Sequence, residues 1–151
     1  SGKINNINIT NSLFDALDID FSDIKINSVV VKKSENDCLD FSSGLYEINS
    51  LTLNYCGDKG ISVGEKANVN LINAKITNSN LAVASKDSST INLANLNIDT
   101  TKICLSAYRK KQEFSESKLK VNNFKCTNYF KKIDLDNKSQ IIIKNNLWKN
   151  Y

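Results

Sequence analysis

Apolar residues alternate with polar ones along the chain, and the alternating segments recur at a nearly constant interval. A first series of apolar pairs, spaced by 20 to 30 residues, comprises Leu17/Ile19, Leu39/Phe41, Ile61/Val63, Leu81/Val83, Ile103/Leu105 and Ile133/Leu135. A second series, spaced by 22 to 28 residues, comprises Ile7/Ile9, Val29/Val31, Leu51/Leu53, Ala74/Ile76, Leu96/Ile98 and Phe124/Cys126. A third consists of the single residues Ile26, Ile48, Leu71, Leu93, Val121 and Ile143. Three alternating segments in each turn of about 22 residues predict an all-β fold, a single-stranded right-handed parallel β-helix of about six coils.

A polar residue precedes the second series in each turn. These residues, all asparagine or serine, are Asn6, Ser28, Ser50, Asn73, Asn95, Asn123 and Asn145. Because stacked amides and hydroxyls at a repeated bend hydrogen-bond from one coil to the next, we expect a polar ladder there. The chain contains no proline, which agrees with strands whose backbone N–H groups join neighbouring coils.

Length and repeat together predict one solenoid domain over residues 1–151. The chain begins Ser1-Gly2 and has no methionine, from which we expect a fragment of a larger protein. Both ends of a solenoid expose strand edges, so we expect neighbouring domains of the same chain, or subunits of an oligomer, to contact them. At the C-terminal end, Trp148 and Tyr151 either cover the last coil or form a frayed tail.

Composition and charge exclude several kinds of active site and partner. The chain has no histidine, which excludes a Ser-His-Asp triad, a histidine general base and a histidine-ligated metal. The net charge is only +4 and most basic residues are dispersed, so we expect no nucleic-acid partner. No apolar run is long enough to predict a membrane span.

The four cysteines leave the redox environment open. Their even number is compatible with disulfides, but the repeat places none of Cys38, Cys56, Cys104 and Cys126 directly above another, so we expect unpaired thiols. We expect Cys126 to point inward and Cys104 to point outward. Unpaired thiols argue weakly against an oxidising compartment, whereas the fold favours an extracellular or cell-surface location.

One row of outward positions along the first series is rich in carboxylates. From the repeat, this row consists of Asp18, Asp40, Ser62, Ala82, Cys104 and Asp134. Just before it lie Asp15, Asp37 and Lys59; we expect Asp15 and Asp37 to stack about 5 Å apart, which raises the pKa of one of them. Paired carboxylates are the acid and base of glycoside hydrolysis, and Asp18 with Asp40 would also suit a Ca²⁺ ion, the one cofactor the sequence suggests. A solvated acidic strip balanced by Lys59 is the alternative.

The fifth turn is longer than the others. Its insertion, SAYRKKQEFSESK, lies between Leu105 and Leu119, and insertions in solenoids form surface loops that often carry function. Tyr108, Arg109 and Lys110 make this loop aromatic and basic, so we predict substrate-binding residues there. A solvated loop whose aromatic side chains pack back onto the coils is the alternative.

Three segments resemble consecutive motifs of the polygalacturonases, pectin-cleaving glycoside hydrolases of the pectate-lyase-like superfamily with a right-handed β-helix. The segments are residues 15–18 (DALD), 36–39 (NDCL) and 57–64 (GDKGISVG). The resemblance implies that Asp15 and Asp37 match acidic residues of that family's active site. It also implies that Ser62 belongs to the third motif and that Lys86 and Tyr108 match a later lysine and tyrosine.

The departures from this pattern lie at the reacting positions. Asn36 stands where the family has its usual general acid, Lys59 replaces the histidine, and the arginine is missing. Because an amide cannot donate a proton as a carboxylic acid does, we do not expect pectin hydrolysis by that mechanism. A second resemblance, to β-helix repeats of bacterial surface proteins joined to CotH-like domains, rests on the runs GDKGISVGE and SKD-S.

Three functions are compatible with the sequence. The first prediction is a non-catalytic module of a larger, cell-surface protein that recognises or scaffolds a polysaccharide. The alternative is a carbohydrate-active enzyme, a hydrolase or a polysaccharide lyase in which a lysine removes a proton beside a uronate carboxylate. Its catalytic residues would be Asp15, Asp37, Asp40, Lys59 and Lys86. Its substrate-binding residues would be Asp18, Ser62, Tyr108, Arg109 and Lys110. The third function is a purely structural stalk or spike segment.

Overall fold

The computed structural model describes residues 1–148, and in that range it is a parallel β-solenoid of about six turns without a helix. Its strands are β1 (Gly2–Ile9), β2 (Leu17–Val31), β3 (Leu39–Gly64), β4 (Asn68–Lys86), β5 (Thr90–Tyr108), β6 (Lys118–Leu135), β7 (Gln140–Ile143) and β8 (Asn146–Trp148). Strands β1 to β7 pair in parallel in sequence order, and β8 is antiparallel to β7. The all-β solenoid and its spacing of about 22 residues are therefore confirmed, and the right-handed sense stays a prediction.

The second and third apolar series form the core in the predicted register. The second series contributes the column Ile9, Val31, Leu53, Ile76, Ile98 and Cys126. The third contributes the column Ile4, Ile26, Ile48, Leu71, Leu93, Val121 and Ile143. The middle members of both columns are almost completely buried. Each coil thus buries apolar surface against its two neighbours, which is what stabilises a solenoid.

The first series stacks in a different register from the predicted one. Ile61 pairs with Val83 rather than with Leu81. The observed spacing is the regular 22 residues, whereas the predicted spacing of 20 followed the apolar pair Leu81/Val83; the residue that pairs with Val63 is the buried Ser85.

The corrected register moves two residues from the outer row into the core. Ala82 and Cys104, expected to point outward, belong to the hydrophobic core cluster, whereas Ala84, which is equally buried, does not. A Cβ atom built on Gly60, one coil below Ala82, would lie 2.9 Å from Ile76 Cγ2, so this column faces the interior. The outer row instead continues through Ser62, Ala84, Ser106 and Asp134.

The predicted polar ladder is present at the bend before the second series. Its hydrogen bonds run from Ser28 Oγ to Asn6 Oδ1 (2.9 Å), from Asn95 Nδ2 to Asn73 Oδ1 (3.0 Å) and from Asn123 Nδ2 to Asn95 Oδ1 (2.8 Å). Asn145 does not continue it, because this residue lies in the turn between β7 and β8 with a φ of 64°. The ladder thus joins the first coil to the second and the fourth coil to the fifth and sixth, and it ends with β6.

All four cysteines are paired, in the disulfides Cys38–Cys56 and Cys104–Cys126, so the prediction of unpaired thiols is wrong. That prediction considered only residues directly above one another, whereas a disulfide can also join two neighbouring coils across a bend. Cys56 pairs with Ser34, which is four residues before Cys38 in the same bend. Cys104 is buried instead of outward-facing, and Cys126 packs against the core as expected.

The two ends of the solenoid differ. Strand β1 is the first strand of the sheet and pairs with β2, whereas β7 covers residues 118–121 and β8 turns back along β7. Trp148 pairs with Ile141 at this end and stays 43 % exposed; Tyr151 lies outside the described residues. Within residues 1–148 no helix has the length and apolar character needed to cross a membrane.

Candidate functional site

The outward side of the segments that follow the Cys38–Cys56 bend, which we name the outer face, gathers most of the predicted site residues. Lys59, Ser62, Lys86 and Tyr108 lie on β3 to β5, and Lys86 is directly paired with Tyr108. Asp18 and Asp40 are stacked neighbours on β2 and β3, as predicted. Sequence reasoning missed Asp58 and Ser106, which belong to the same face.

Asp15 and Asp37 hold the backbone of the next coil. Asp15 Oδ1 accepts hydrogen bonds from Asn36 Nδ2 (2.7 Å) and from the Asp37 backbone N–H (3.0 Å). Asp37 Oδ1 in turn accepts from the Lys59 backbone N–H (2.9 Å). These bonds satisfy backbone N–H groups that have no strand partner at the bend. Both carboxylates therefore have a structural role.

Burial governs the ionisation of the acidic residues here. Asp37 is 4 % exposed, and burial raises its pKa although the Lys59 N–H and charge oppose the shift. The pKa of Asp18 is also raised, by burial first and then by the neighbouring charges of Asp20 and Asp40. The expected rise is therefore present at Asp37, but desolvation causes it more than repulsion between stacked carboxylates.

Lys59 is held in its protonated form. Its ammonium contacts Asp58 closely and lies 3.5 Å from Asp37 Oδ1. Burial alone lowers the pKa of Lys59, but the hydrogen bond with Asp58 and the negative charges of Asp58 and Asp37 outweigh it and raise that pKa. A lysine that removes a proton needs a lowered pKa, so this arrangement does not favour the lyase chemistry considered for Lys59.

A group of incompletely satisfied polar atoms lies on the outer row. Lys86 Nζ is 3.9 Å from Asp40 Oδ1, a distance that allows charge attraction but not a hydrogen bond. Among the described residues, the buried side-chain atoms without a hydrogen-bond partner are Asp40 Oδ1, Ser62 Oγ and Ser106 Oγ. All three belong to one row of the solenoid, and such groups in a folded protein call for ordered water or a polar ligand.

The loop after β5 borders this face. Tyr108 is half-buried, and burial raises its pKa, with the nearby Lys59 charge acting in the opposite direction. The loop backbone is tied down by Asp87 Oδ1, which accepts from the N–H groups of Lys110 (2.6 Å) and Lys111 (2.8 Å). The side chains of Arg109 and Lys110 are exposed. The structure thus orders the predicted binding loop at the rim of the outer face.

The larger grooves lie on other faces of the described surface. One, of about 410 Å³, runs across β3 to β6 beside the polar ladder. It is lined by Glu47, Asn49, Asn70, Ile72, Asn92 and Lys120, among others. Asp40, Ser62, Lys86 and Ser106 do not line this groove, so it is separate from the outer face.

Metal-ligand chemistry has little support at the outer face. Within residues 1–148 no three histidine, cysteine, aspartate or glutamate side chains are grouped as a metal ion requires. At the pair considered for Ca²⁺, the Lys86 ammonium already faces Asp40. Calcium binding at Asp18 and Asp40 stays a prediction. These two carboxylates fit the ion poorly, because Ca²⁺ takes six to eight oxygen ligands.

Comparisons with protein-family models, with curated proteins and with solved structures gave no match to the chain. The resemblances to polygalacturonases and to bacterial surface repeats therefore stay predictions.

The raised pKa of Asp37 predicts the direction of a pH effect on stability. Because the folded-state pKa lies above the unfolded one, protonated Asp37 favours the fold at acid pH, and this contribution is lost as the pH rises through the folded pKa. Asp37→Asn keeps an oxygen acceptor for Lys59 N–H without the charge. We expect this variant to raise the melting temperature by a few degrees at neutral pH and to match the wild type near pH 3.

Calorimetry at both pH values measures this effect. The control is Asp15→Asn, the same substitution on a more exposed side chain. A lower melting temperature of Asp37→Asn at neutral pH would instead mean that the attraction to Lys59 exceeds the cost of burial.

Proposed function

We propose that the protein is a non-catalytic carbohydrate-associated module, which binds a glycan through its outer face as part of a larger extracellular or cell-surface protein. The observation that carries the proposal is the row of unpartnered buried polar atoms, Asp40 Oδ1, Ser62 Oγ and Ser106 Oγ. Sugar hydroxyls both donate and accept hydrogen bonds, so they can satisfy a carboxylate and serine hydroxyls at the same time. Because Ser62 and Ser106 are 0 % and 1 % exposed, this contact requires neighbouring side chains of the outer face to move aside.

The dimensions of this row suit a chain-like ligand. Ser62 and Ser106 are two coils apart, with Ala84 between them, which corresponds to about 10 Å along the solenoid axis. A short oligosaccharide covers that distance. Tyr108 and Arg109 at the rim add an aromatic ring and a cation, which contact sugar faces and uronate carboxylates respectively.

Catalysis is the less favoured interpretation, because the candidate base is protonated and the candidate carboxylates already accept hydrogen bonds from the backbone. Lys59 stays protonated beside Asp58, and the carboxylates of Asp15 and Asp37 hold backbone N–H groups. Asn36 donates to Asp15 and cannot act as an acid. These four residues therefore serve the bend rather than a reaction.

One observation keeps a carbohydrate-cleaving enzyme as the second candidate. Asp37 combines burial, a raised pKa and a neighbouring lysine, which is a combination found at catalytic acids. In that case Asp37 would donate the proton to the leaving group. Loss of activity in Asp37→Asn would identify it.

The disulfides support the location included in the proposal. Two bonds involve all four cysteines of the chain, and disulfides persist mainly in oxidising environments such as the cell exterior.

A glycan panel tests the proposed function. Polygalacturonate, alginate, chondroitin and a neutral mannan are immobilised, and retention of the protein is measured with and without Ca²⁺. We expect retention on at least one glycan, weakened about tenfold by Lys86→Met and several-fold by Ser62→Ala or Ser106→Ala. Ser50→Ala, a matched change on the ladder bend, should bind like the wild type.

The same panel separates the alternatives. Formation of reducing ends or unsaturated products, abolished by Asp37→Asn, would establish the enzyme and contradict the proposal. Absence of both retention and cleavage would favour a structural segment.

A further inference from the structure

The groove of about 410 Å³ lies on the outward side of the third apolar series, and we name this side the groove face. Each strand from β3 to β6 contributes two neighbouring outward positions to it. The first position forms a column that consists, in pairing order, of Glu47, Asn70, Asn92 and Lys120. The second position forms a column of Asn49, Ile72, Ala94 and Asn122. Both columns lie on the side of the solenoid and not at its ends.

The polar column is complementary to itself when its direction is reversed. Its order is acid, amide, amide, base, so reversal places Lys120 where Glu47 was and Asn92 where Asn70 was. An amide both donates to and accepts from another amide, and a carboxylate attracts an ammonium group. Glu47 already contacts the exposed Lys25 at 2.7 Å, but a carboxylate has room for a second ammonium donor. Two reversed copies of this column therefore match at all four positions.

The second column has matching shapes under the same reversal. Ile72 is 49 % exposed, and the next coil has the small Ala94 at the equivalent position. Both residues line the groove. Reversal sets Ile72 of one copy opposite Ala94 of the other, so the larger side chain fits above the smaller one. The same contact occurs twice and removes two exposed isoleucines from water.

The adjoining outward positions of the groove face do not oppose this arrangement. The further pairs that reversal brings together are Leu45 with Lys118, Asn68 with Thr90, Asp23 with Gln140 and Lys25 with Ile142. None of them joins two like charges, and the methylene groups of a lysine pack well on an exposed leucine. An arrangement in which each coil faces the same coil of a second copy would instead set Glu47 opposite Asn49. The antiparallel arrangement is therefore the one that pairs the charges.

From these observations we propose that two copies of the chain associate side by side and antiparallel through their groove faces. Glu47 of each copy then meets Lys120 of the second copy, and Ile72 packs over Ala94. Because both copies use the same surface, the contact closes on itself and produces a dimer. The matched columns are only about 15 Å long, which is small for a permanent interface, so the dimer is a weak one. The proposal does not depend on glycan binding at the outer face.

Sedimentation equilibrium at protein concentrations from about 10 µM to about 1 mM, the range of a weak interface, tests the association. We expect the average mass to rise from 16.9 kDa towards twice that value and no further. Ile72→Asp should weaken the association at least tenfold, because it places a carboxylate in the contact. Tyr55→Asp, the control on an exposed side chain outside the groove face, should not. A monomer at every concentration, or a mass beyond that of a dimer, would overturn the proposal.

A mixing experiment determines the register of the two copies. Glu47→Lys and Lys120→Glu each set like charges opposite one another in a dimer of identical variants, so each alone should associate at least tenfold more weakly than the wild type. An equimolar mixture of the two variants restores both attractive contacts and should associate more tightly than either variant alone. Glu113→Lys and Lys75→Glu, the same changes on exposed side chains elsewhere, should associate like the wild type. A mixture that associates no better than its components would contradict the antiparallel contact.

Discussion

Replacement of both Cys38 and Cys56 by alanine is expected to lower the free energy of unfolding by about 3 kcal/mol, because the disulfide closes a loop with a sequence separation of 18. Both sulfur atoms are buried, so the loss of packing adds to the loss of the cross-link. Urea denaturation under oxidising conditions measures the change.

The bond also fixes the bend from which the outer face starts. Cys38 follows Asp37, and Cys56 lies shortly before Asp58 and Lys59, so its removal should loosen the ion pairs of Lys59 and weaken glycan retention. Replacement of Cys104 and Cys126 by alanine is the comparison, since that bond has a similar separation of 22 and joins β5 to β6, so it leaves the bend before Lys59 intact although Cys104 lies two residues before Ser106. Equal loss of retention in both double variants would contradict a local role.

The second large effect concerns the pair formed by Asp40 and Lys86. Asp40→Ala is expected to lower the free energy of unfolding by about 2 kcal/mol, because it leaves the Lys86 ammonium nearly buried without its counter-charge. Lys86→Met added to Asp40→Ala should recover most of that loss. The partial exposure of Asp40 keeps the figure below that of a fully buried pair.

A double-mutant cycle by urea denaturation measures the coupling between these two residues. The exposed pair of Lys25 and Glu47, 2.7 Å apart, is the control and should show a coupling within about 0.5 kcal/mol. An equally small coupling between Asp40 and Lys86 would mean that water already screens the Lys86 ammonium.

Much of the fold was predictable because the solenoid repeats its pattern. The columns that contain Ile48 and Leu53, and the ladder at Asn95, follow directly from the alternation of side chains and its recurrence. The register of Ile61 was predicted wrongly because the apolar pair Leu81/Val83 suggested a spacing of 20 residues. The chain keeps the regular spacing of 22 and pairs Val63 with Ser85, a fully buried polar residue that the apolar pattern does not reveal.

The candidate site was predictable only in part. The sequence placed Asp18 beside Asp40 correctly, but the tasks of Asp15 and Asp37 depend on which backbone N–H groups the bend leaves without a strand partner. The Cys38–Cys56 disulfide was missed for a related reason: Cys56 pairs with Ser34, four residues before Cys38, and a repeat register alone does not show that the bend brings these positions together.

Nuclear magnetic resonance of the isotope-labelled protein tests whether the outer face binds a glycan. An oligosaccharide of the retained glycan is titrated in while backbone amide shifts are followed. We expect the largest changes around Asp40, Ser62, Lys86, Ser106 and Tyr108. Changes confined to the groove of Asn70 and Asn92, or to the solenoid ends, would contradict it.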